Sequence, residues 1–130
     1  MRRFLSLLMT SVLLAAAPAG AAPRLDPEQK LARAIEGRVA GEPVRCLSLS
    51  KVRSSRIIEG IAIIYRAGGT LYVNRPRAGA ESLDRWDGIR PLPIASRLCS
   101  IDVVELYDSS AGRDSGSVVL GDFVPYRKPK

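Results

Sequence analysis

The chain contains no histidine and only two cysteines, which removes much of the catalytic repertoire at once. No Ser-His-Asp triad, Cys-His pair or imidazole-ligated metal can be assembled. Nor can two thiolates close a four-cysteine zinc or iron–sulfur site. Ser48-Leu49-Ser50-Lys51 matches the S-x-x-K nucleophile spacing, in which a helix carries the lysine amine to the serine hydroxyl. Here the run closes an expected strand, where residues i and i+3 point to opposite faces, and the partner motifs S-D-N and K-T-G are missing. Asp114-Ser115-Gly116 resembles the surroundings of a protease nucleophile. With no histidine base it reads instead as part of a flexible loop, Ala111 to Gly116.

Carboxylates are the remaining acid–base groups. Asp84, Asp87, Asp102, Glu105, Asp108 and Asp122 all fall in the second half of the chain. A pair separated by about 5–9 Å is the machinery of glycoside cleavage, so a small carboxylate-dependent hydrolase is the alternative function. No spacing selects a pair, and the D-x-D-x-D-G pattern of a calcium loop is absent. No metal or cofactor is expected.

The basic residues form the stronger pattern. Lys and Arg number 20 against 13 Asp and Glu, a net charge of +7. Arg45, Lys51, Arg53, Arg56 and Arg66 gather around the first expected strands, and Arg75 and Arg77 follow the next. On one face, such guanidinium groups would grip carboxylate or phosphate bidentately. The expected anion-binding set is therefore Arg45, Lys51, Arg53, Arg56, Arg75 and Arg77. Nucleic acid is not the expected partner, because the few aromatics do not interleave with the basic residues. Anionic envelope material, or an envelope protein, fits better.

The N-terminus sets the compartment. Arg2 and Arg3 precede the uncharged run Phe4 to Ala17, and Ala19-Gly20-Ala21 is an A-x-A cleavage site. Residues 1–21 read as a secretory signal peptide, too short for a transmembrane span once Pro18 and Gly20 interrupt it. Removing Arg2 and Arg3 leaves 18 basic and 13 acidic groups in residues 22–130, a net +5. Those residues read as a single periplasmic or secreted domain with its core at about 44–125. Cys46 and Cys99, an even pair in an exported chain, are expected to form one disulfide.

Several elements must position these groups. Asp26-Pro27-Glu28-Gln29 is a helix start with N-cap, N1 proline and capping box, and Leu31, Ala34 and Ile35 form an apolar face before Gly37. Strands are expected at Val44–Ser50, at Ile57–Arg66 (apolar on both faces and therefore central), at Thr70–Asn74 after an Ala67-Gly68-Gly69 turn, at Ile101–Tyr107 and at Val118–Val124. Ser82–Trp86 reads as a helical turn, Ile89–Ile94 as an edge strand tolerating Pro91 and Pro93, and Asp108–Gly116 as a polar loop. The fold class is mainly β: a short N-terminal helix, then five or six antiparallel strands curled into a small barrel or sandwich, the helix against one end or face.

Arg45-Cys46-Leu47, Arg56-Ile57-Ile58-Glu59-Gly60, Tyr72-Val73-Asn74-Arg75 and Leu98-Cys99-Ser100-Ile101-Asp102 together resemble a family of small exported bacterial proteins of uncharacterised function. The pattern is R-C-[IL], then Y-x-N, then L-C-x-x-D, over roughly residues 44–125. The resemblance implies export, a Cys46–Cys99 pair, no assigned activity, and Asn74, Arg75 and Asp102 as determinants of the fold. The chain departs from it at Ala78-Gly79-Ala80, where the pattern often carries a further cysteine. The expected function is that of a non-enzymatic binding or accessory protein of the envelope.

Overall fold

The computed structural model describes residues 12–17, 20, 23–90 and 96–130. Most of the expected signal segment, and Pro91 to Ile94 of the expected edge strand, lie outside these. Helix α1 (Pro27–Ala34) is followed by β1 (Val39–Ala40), β2 (Cys46–Ser48), β3 (Val52–Ile58), β4 (Ala62–Ala67) and β5 (Thr70–Asn74). Then come β6 (Asp87–Ile89), β7 (Arg97–Cys99), β8 (Val103–Asp108), β9 (Arg113–Val119) and β10 (Phe123–Arg127). The molecule is mainly β, with no closed barrel among the described residues. A five-stranded antiparallel sheet, β1-β10-β5-β4-β3, packs in a sandwich-like manner against the pair β2-β7 and the sheet β6-β8-β9.

The helix forms where its capping chemistry places it. The Asp26 carboxylate accepts from the Gln29 amide at 2.8 Å and the Gln29 side chain accepts from the Asp26 amide at 3.0 Å, closing the capping box. An eight-residue helix is marginal alone, and it docks by burying Leu31 against Ile58, Ala62, Ile64, Leu71 and Val73 on the outer face of the large sheet. The inner face carries the main core. There Ile57, Ile63, Tyr65 and Phe123 meet Leu47 and Leu98 of the pair, and Val104, Leu106 and Val118 of the small sheet.

Three expected strands differ from what forms. The run Ile57–Arg66 is two arms of a hairpin, with Ile57 opposite Ile63 and Ile58 opposite Ala62. Glu59-Gly60-Ile61 makes the turn: Gly60 takes φ 75°, a conformation that costs glycine nothing, and the Ile61 amide donates to the Ile58 carbonyl at 3.1 Å. Ala62 to Tyr65 are nonetheless buried on both faces, as expected of a strand inside the sheet. Val44–Ser50 is shortened to Cys46–Ser48, because Leu49–Lys51 closes into a 3-10 turn. Val118–Val124 is split between β9 and β10 by Leu120-Gly121-Asp122.

The cause of that split is a buried clamp. The Asn74 side chain donates to the Gly121 carbonyl at 2.7 Å and accepts from the Gly121 amide at 2.9 Å. A Cβ at Gly121 would collide with the Arg75 carbonyl. Asn74 is thus a fully buried tie between the end of β5 and the link between β9 and β10. Pro125 lies inside β10 without loss. Its carbonyl accepts from Gly41 on the side away from β5, and in an antiparallel strand the missing N–H faces that same side.

The expected polar loop Asp108–Gly116 is shorter than its composition implies. Arg113–Val119 is strand, Leu106 lies opposite Gly116, and the turn is confined to 109–112. An edge strand with polar faces is admissible because one face and one edge meet water. The expected helical turn at Ser82–Trp86 is a 3-10 turn displaced to Ala80–Ser82. Of the expected Ile89–Ile94 edge strand, Ile89 falls in β6, which is indeed an edge.

Cys46 and Cys99 are directly opposite in the β2–β7 pair, with Cα atoms 4.0 Å apart, and are disulfide-bonded. A disulfide fits an oxidising, periplasmic or extracellular compartment. Among the described residues no helix is long and apolar enough to cross a membrane.

Candidate anion-binding groove

The helix that covers the outer face of the large sheet does not cover all of it, and what it leaves open is lined by cations. Arg56 on β3 and Arg66 on β4 stand on the same face, because Ser54 opposes Arg66 and Arg56 opposes Ile64. Diagonal neighbours of this kind are within reach of long side chains. From the helix, Lys30 and Arg33 reach the same region, three residues apart on one helical face.

Three neighbouring cavities lie here. The first, of about 450 Å³, lies between α1 and β3 and is lined by Lys30, Arg33, Arg56, Arg85 and Trp86 among others. The second, of about 220 Å³, shares Ala34 and Arg56 with the first and adds Arg66. The third, of about 510 Å³, shares Arg66 with the second and adds Arg38, Arg127 and Lys128. Together the three cavities make a basic groove region with eight cations and one carboxylate, Glu59, in its lining. Glu59 faces Lys30 at 3.8 Å, and among the described residues the other seven cations make no ion pair. Trp86 lines the first cavity, 73% exposed, with the Arg85 guanidinium 4.9 Å from its ring centroid.

The six residues singled out from the sequence do not share this face. Arg56 is in the groove, and its neighbour Arg66 joins it. Arg53 lines a separate cavity on the inner side of β3. Arg45 is exposed next to the disulfide, and Lys51 is exposed on the 3-10 turn. Arg75 is already engaged: it makes a bidentate pair with Glu28 at 2.8 and 2.9 Å, fastening the start of the helix to the end of β5. This pairing holds the Glu28 carboxyl below its ordinary value and raises Arg75. Arg77 faces Asp122 at 3.8 Å and donates to Ser100 at 3.5 Å.

Missed by sequence reasoning were Lys30, Arg33, Arg38, Arg85, Arg127 and Lys128. Two signals were present: the basic residues at helical spacing beside the apolar Ala34, and the basic C-terminal tail. Their convergence depends on where the helix docks and on how β1, β10, β5 and β4 pair, which no local pattern carries.

The carboxylates singled out from the sequence have structural occupations, Asp122 facing Arg77 among them. Asp102 accepts from the Cys99 amide at 2.7 Å, bracing the turn at the disulfide. Glu105 and Asp114 both engage Arg90, at 3.5 and 2.6 Å. Asp84 accepts from the Trp86 amide and Asp87 from the Ser115 hydroxyl. Asp84, Asp87 and Asp108 do line one open cavity of about 360 Å³. There the Ser110 hydroxyl, with the Ala111 and Ser110 amides, pulls Asp108 below its ordinary value, whereas a general acid needs a carboxyl held above it. Ser48 hydrogen-bonds Ser50 at 2.9 Å, and among the described residues no hydrogen bond joins it to Lys51. No group of three or more metal-ligating side chains occurs among the described residues.

Comparison of the chain with protein-family models, curated proteins and solved structures gives no match.

Proposed function

We propose that this protein is a non-enzymatic binding module of the bacterial envelope, exported by cleavage near Ala21, whose ligand is a linear acidic polysaccharide. The carrying observation is the groove itself: seven of its eight cations have no acidic partner among the described residues. Clustered charge without internal partners is a stored demand for counter-charge. Three adjacent concavities suit successive units of a polymer strand better than the plane of a membrane. Guanidinium groups bind carboxylate and sulfate bidentately. Trp86, exposed in the lining of the first cavity and carrying Arg85 against one face, offers its other face for a sugar ring to stack on. The motif resemblance to small exported bacterial proteins and the disulfide support the compartment in which such a ligand is met.

The test is binding of the disulfide-intact protein to an immobilised acidic polysaccharide across a salt series, with neutral polysaccharide and anionic vesicles in parallel. Binding should weaken steadily with salt, as expected when several cations release counterions together. With about 1 kcal/mol per basic side chain near an anionic surface, Arg56→Ala with Arg66→Ala should weaken binding on the order of thirty-fold. Arg75→Ala, which removes an already paired cation, should weaken it far less. Salt-insensitive binding, or stronger binding to vesicles than to the polysaccharide, would overturn this reading.

A further inference from the structure

We infer that the free edge of β3 is a docking strand for an extended segment of a protein partner in which apolar and acidic residues alternate. β3 ends the order β1-β10-β5-β4-β3, so one side of it pairs with β4 and the other with no strand among the described residues. Arg53 to Arg56 are all exposed along it. The Ile58 carbonyl is turned toward the hairpin, where it accepts from the Ile61 amide. Backbone groups alternate in direction along an antiparallel strand, so those of Ser55 and Ile57 point away from β4. Among the described residues neither has a backbone partner on that side.

Every open sheet has such edges. What singles this one out is a cavity on each of its faces. On the outer face lies the cavity of about 220 Å³ that holds Arg56 and Arg66. On the inner face lies one of about 180 Å³, walled by Leu49, Val52, Leu98 and Val104, with the exposed Arg53 also in its lining. The two linings share Ser54, so the cavities meet across β3. Side chains of a strand added here would alternate between them, apolar ones inward and acidic ones outward. Main-chain pairing then supplies affinity and the two cavities select the sequence, as in strand addition to other sheet edges. Charge disfavours a second copy of this chain as the occupant, because β3 against β3 would set one Arg53-Ser54-Ser55-Arg56 run against another. The site overlaps the basic groove at Arg56 and Arg66. It differs in needing backbone pairing and an apolar cavity, neither of which an acidic polysaccharide uses.

Fluorescence anisotropy tests this, with the disulfide-intact protein and a labelled, end-blocked peptide of alternating valine and glutamate, seven residues long like β3. The expected result is saturable binding, at least ten-fold tighter than that of a serine–glutamate peptide of equal charge or of a valine–lysine peptide. N-methylation of alternate peptide amides should cost at least ten-fold in one of the two frames and little in the other, because a strand pairs through one edge at a time. Ser55→Pro removes the outward N–H at an edge position, where proline is tolerated, and Ser55→Phe fills the inner cavity without touching the backbone. Each should weaken the peptide at least ten-fold and leave binding of the acidic polysaccharide unchanged. The inference is overturned by absence of saturable binding, or by equal binding of the serine–glutamate peptide, which would reduce it to charge attraction. It is equally overturned if both methylated frames or neither lose binding, or if Ser55→Phe leaves the peptide bound as before. The peptide and polysaccharide measurements are separate, so either reading can fail alone.

Discussion

Ile101 is the only non-glycine residue with positive φ among those described, at 71°. It sits at the corner of the turn in which the Asp102 amide donates to the Cys99 carbonyl at 3.1 Å. Its side chain is 61% exposed, so little packing offsets the clash between its Cβ and the backbone. A left-handed conformation costs a residue with a Cβ about 1–2 kcal/mol, of which glycine gives part back through its freer unfolded state. Ile101→Gly is therefore expected to stabilise the protein by about 1 kcal/mol, read as a rise of a few degrees in thermal unfolding. Charge acts at the same scale. Glu28, beside Arg75, and Asp108, under the Ser110 hydroxyl and two amides, both have folded pKa values below their ordinary ones. The folded protein then binds protons less readily than the unfolded chain, so these groups stabilise it above the ordinary carboxylate range. That stabilisation is lost as pH falls through the depressed values. Denaturant unfolding should show stability falling below about pH 4, and Glu28→Gln should flatten part of that fall.

Elements were legible where local chemistry is strong. The capping box at Asp26 and Gln29, and the Gly68-Gly69 hairpin leading to Thr70–Asn74, read directly from residue type and spacing. The hairpin inside Ile57–Arg66 did not, since Glu59-Gly60 is embedded in an apolar run whose two arms look like one strand. Nor did the break within Val118–Val124. It is imposed by Asn74, 47 residues earlier in sequence than Gly121. Removing that side chain strips two buried hydrogen bonds and leaves the Gly121 amide and carbonyl unpaired. With about 1–3 kcal/mol for each buried group left unsatisfied, Asn74→Ala should destabilise by about 2–4 kcal/mol in urea unfolding. Asn74→Asp should cost at least as much, because a carboxylate would face the Gly121 carbonyl with no donor. A loss under 1 kcal/mol would show that the clamp is not what divides the two strands.

At the scale of the whole molecule, the small pair β2–β7 is held to the rest by Leu47 and Leu98 in the core, and its two strands are held to each other by the Cys46–Cys99 bond. The bond spans a sequence separation of 53 residues, for which chain entropy gives about 4 kcal/mol. Reduction, or Cys46→Ala with Cys99→Ala, should lower the melting temperature by ten degrees or more, on the basis of roughly 4–8 °C per kcal/mol for a domain of this size. A melting curve unmoved by reductant would show that strand pairing and core packing alone hold this corner. The amino-acid sequence by itself determined the β-rich class, the capped helix, the cystine and the excess of arginine. All of these follow from residue type or from neighbours a few positions apart. Only the tertiary structure decided which basic residues act together. Arg75 and Arg77 are engaged by Glu28 and Asp122, whereas Arg33 is brought beside Arg56 and Arg66 because one short helix buries Leu31 on one face of the sheet, and Arg127 is brought near Arg66 by strand pairing. A cation's freedom to bind depends on which acids the fold brings beside it, and that is a property of packing.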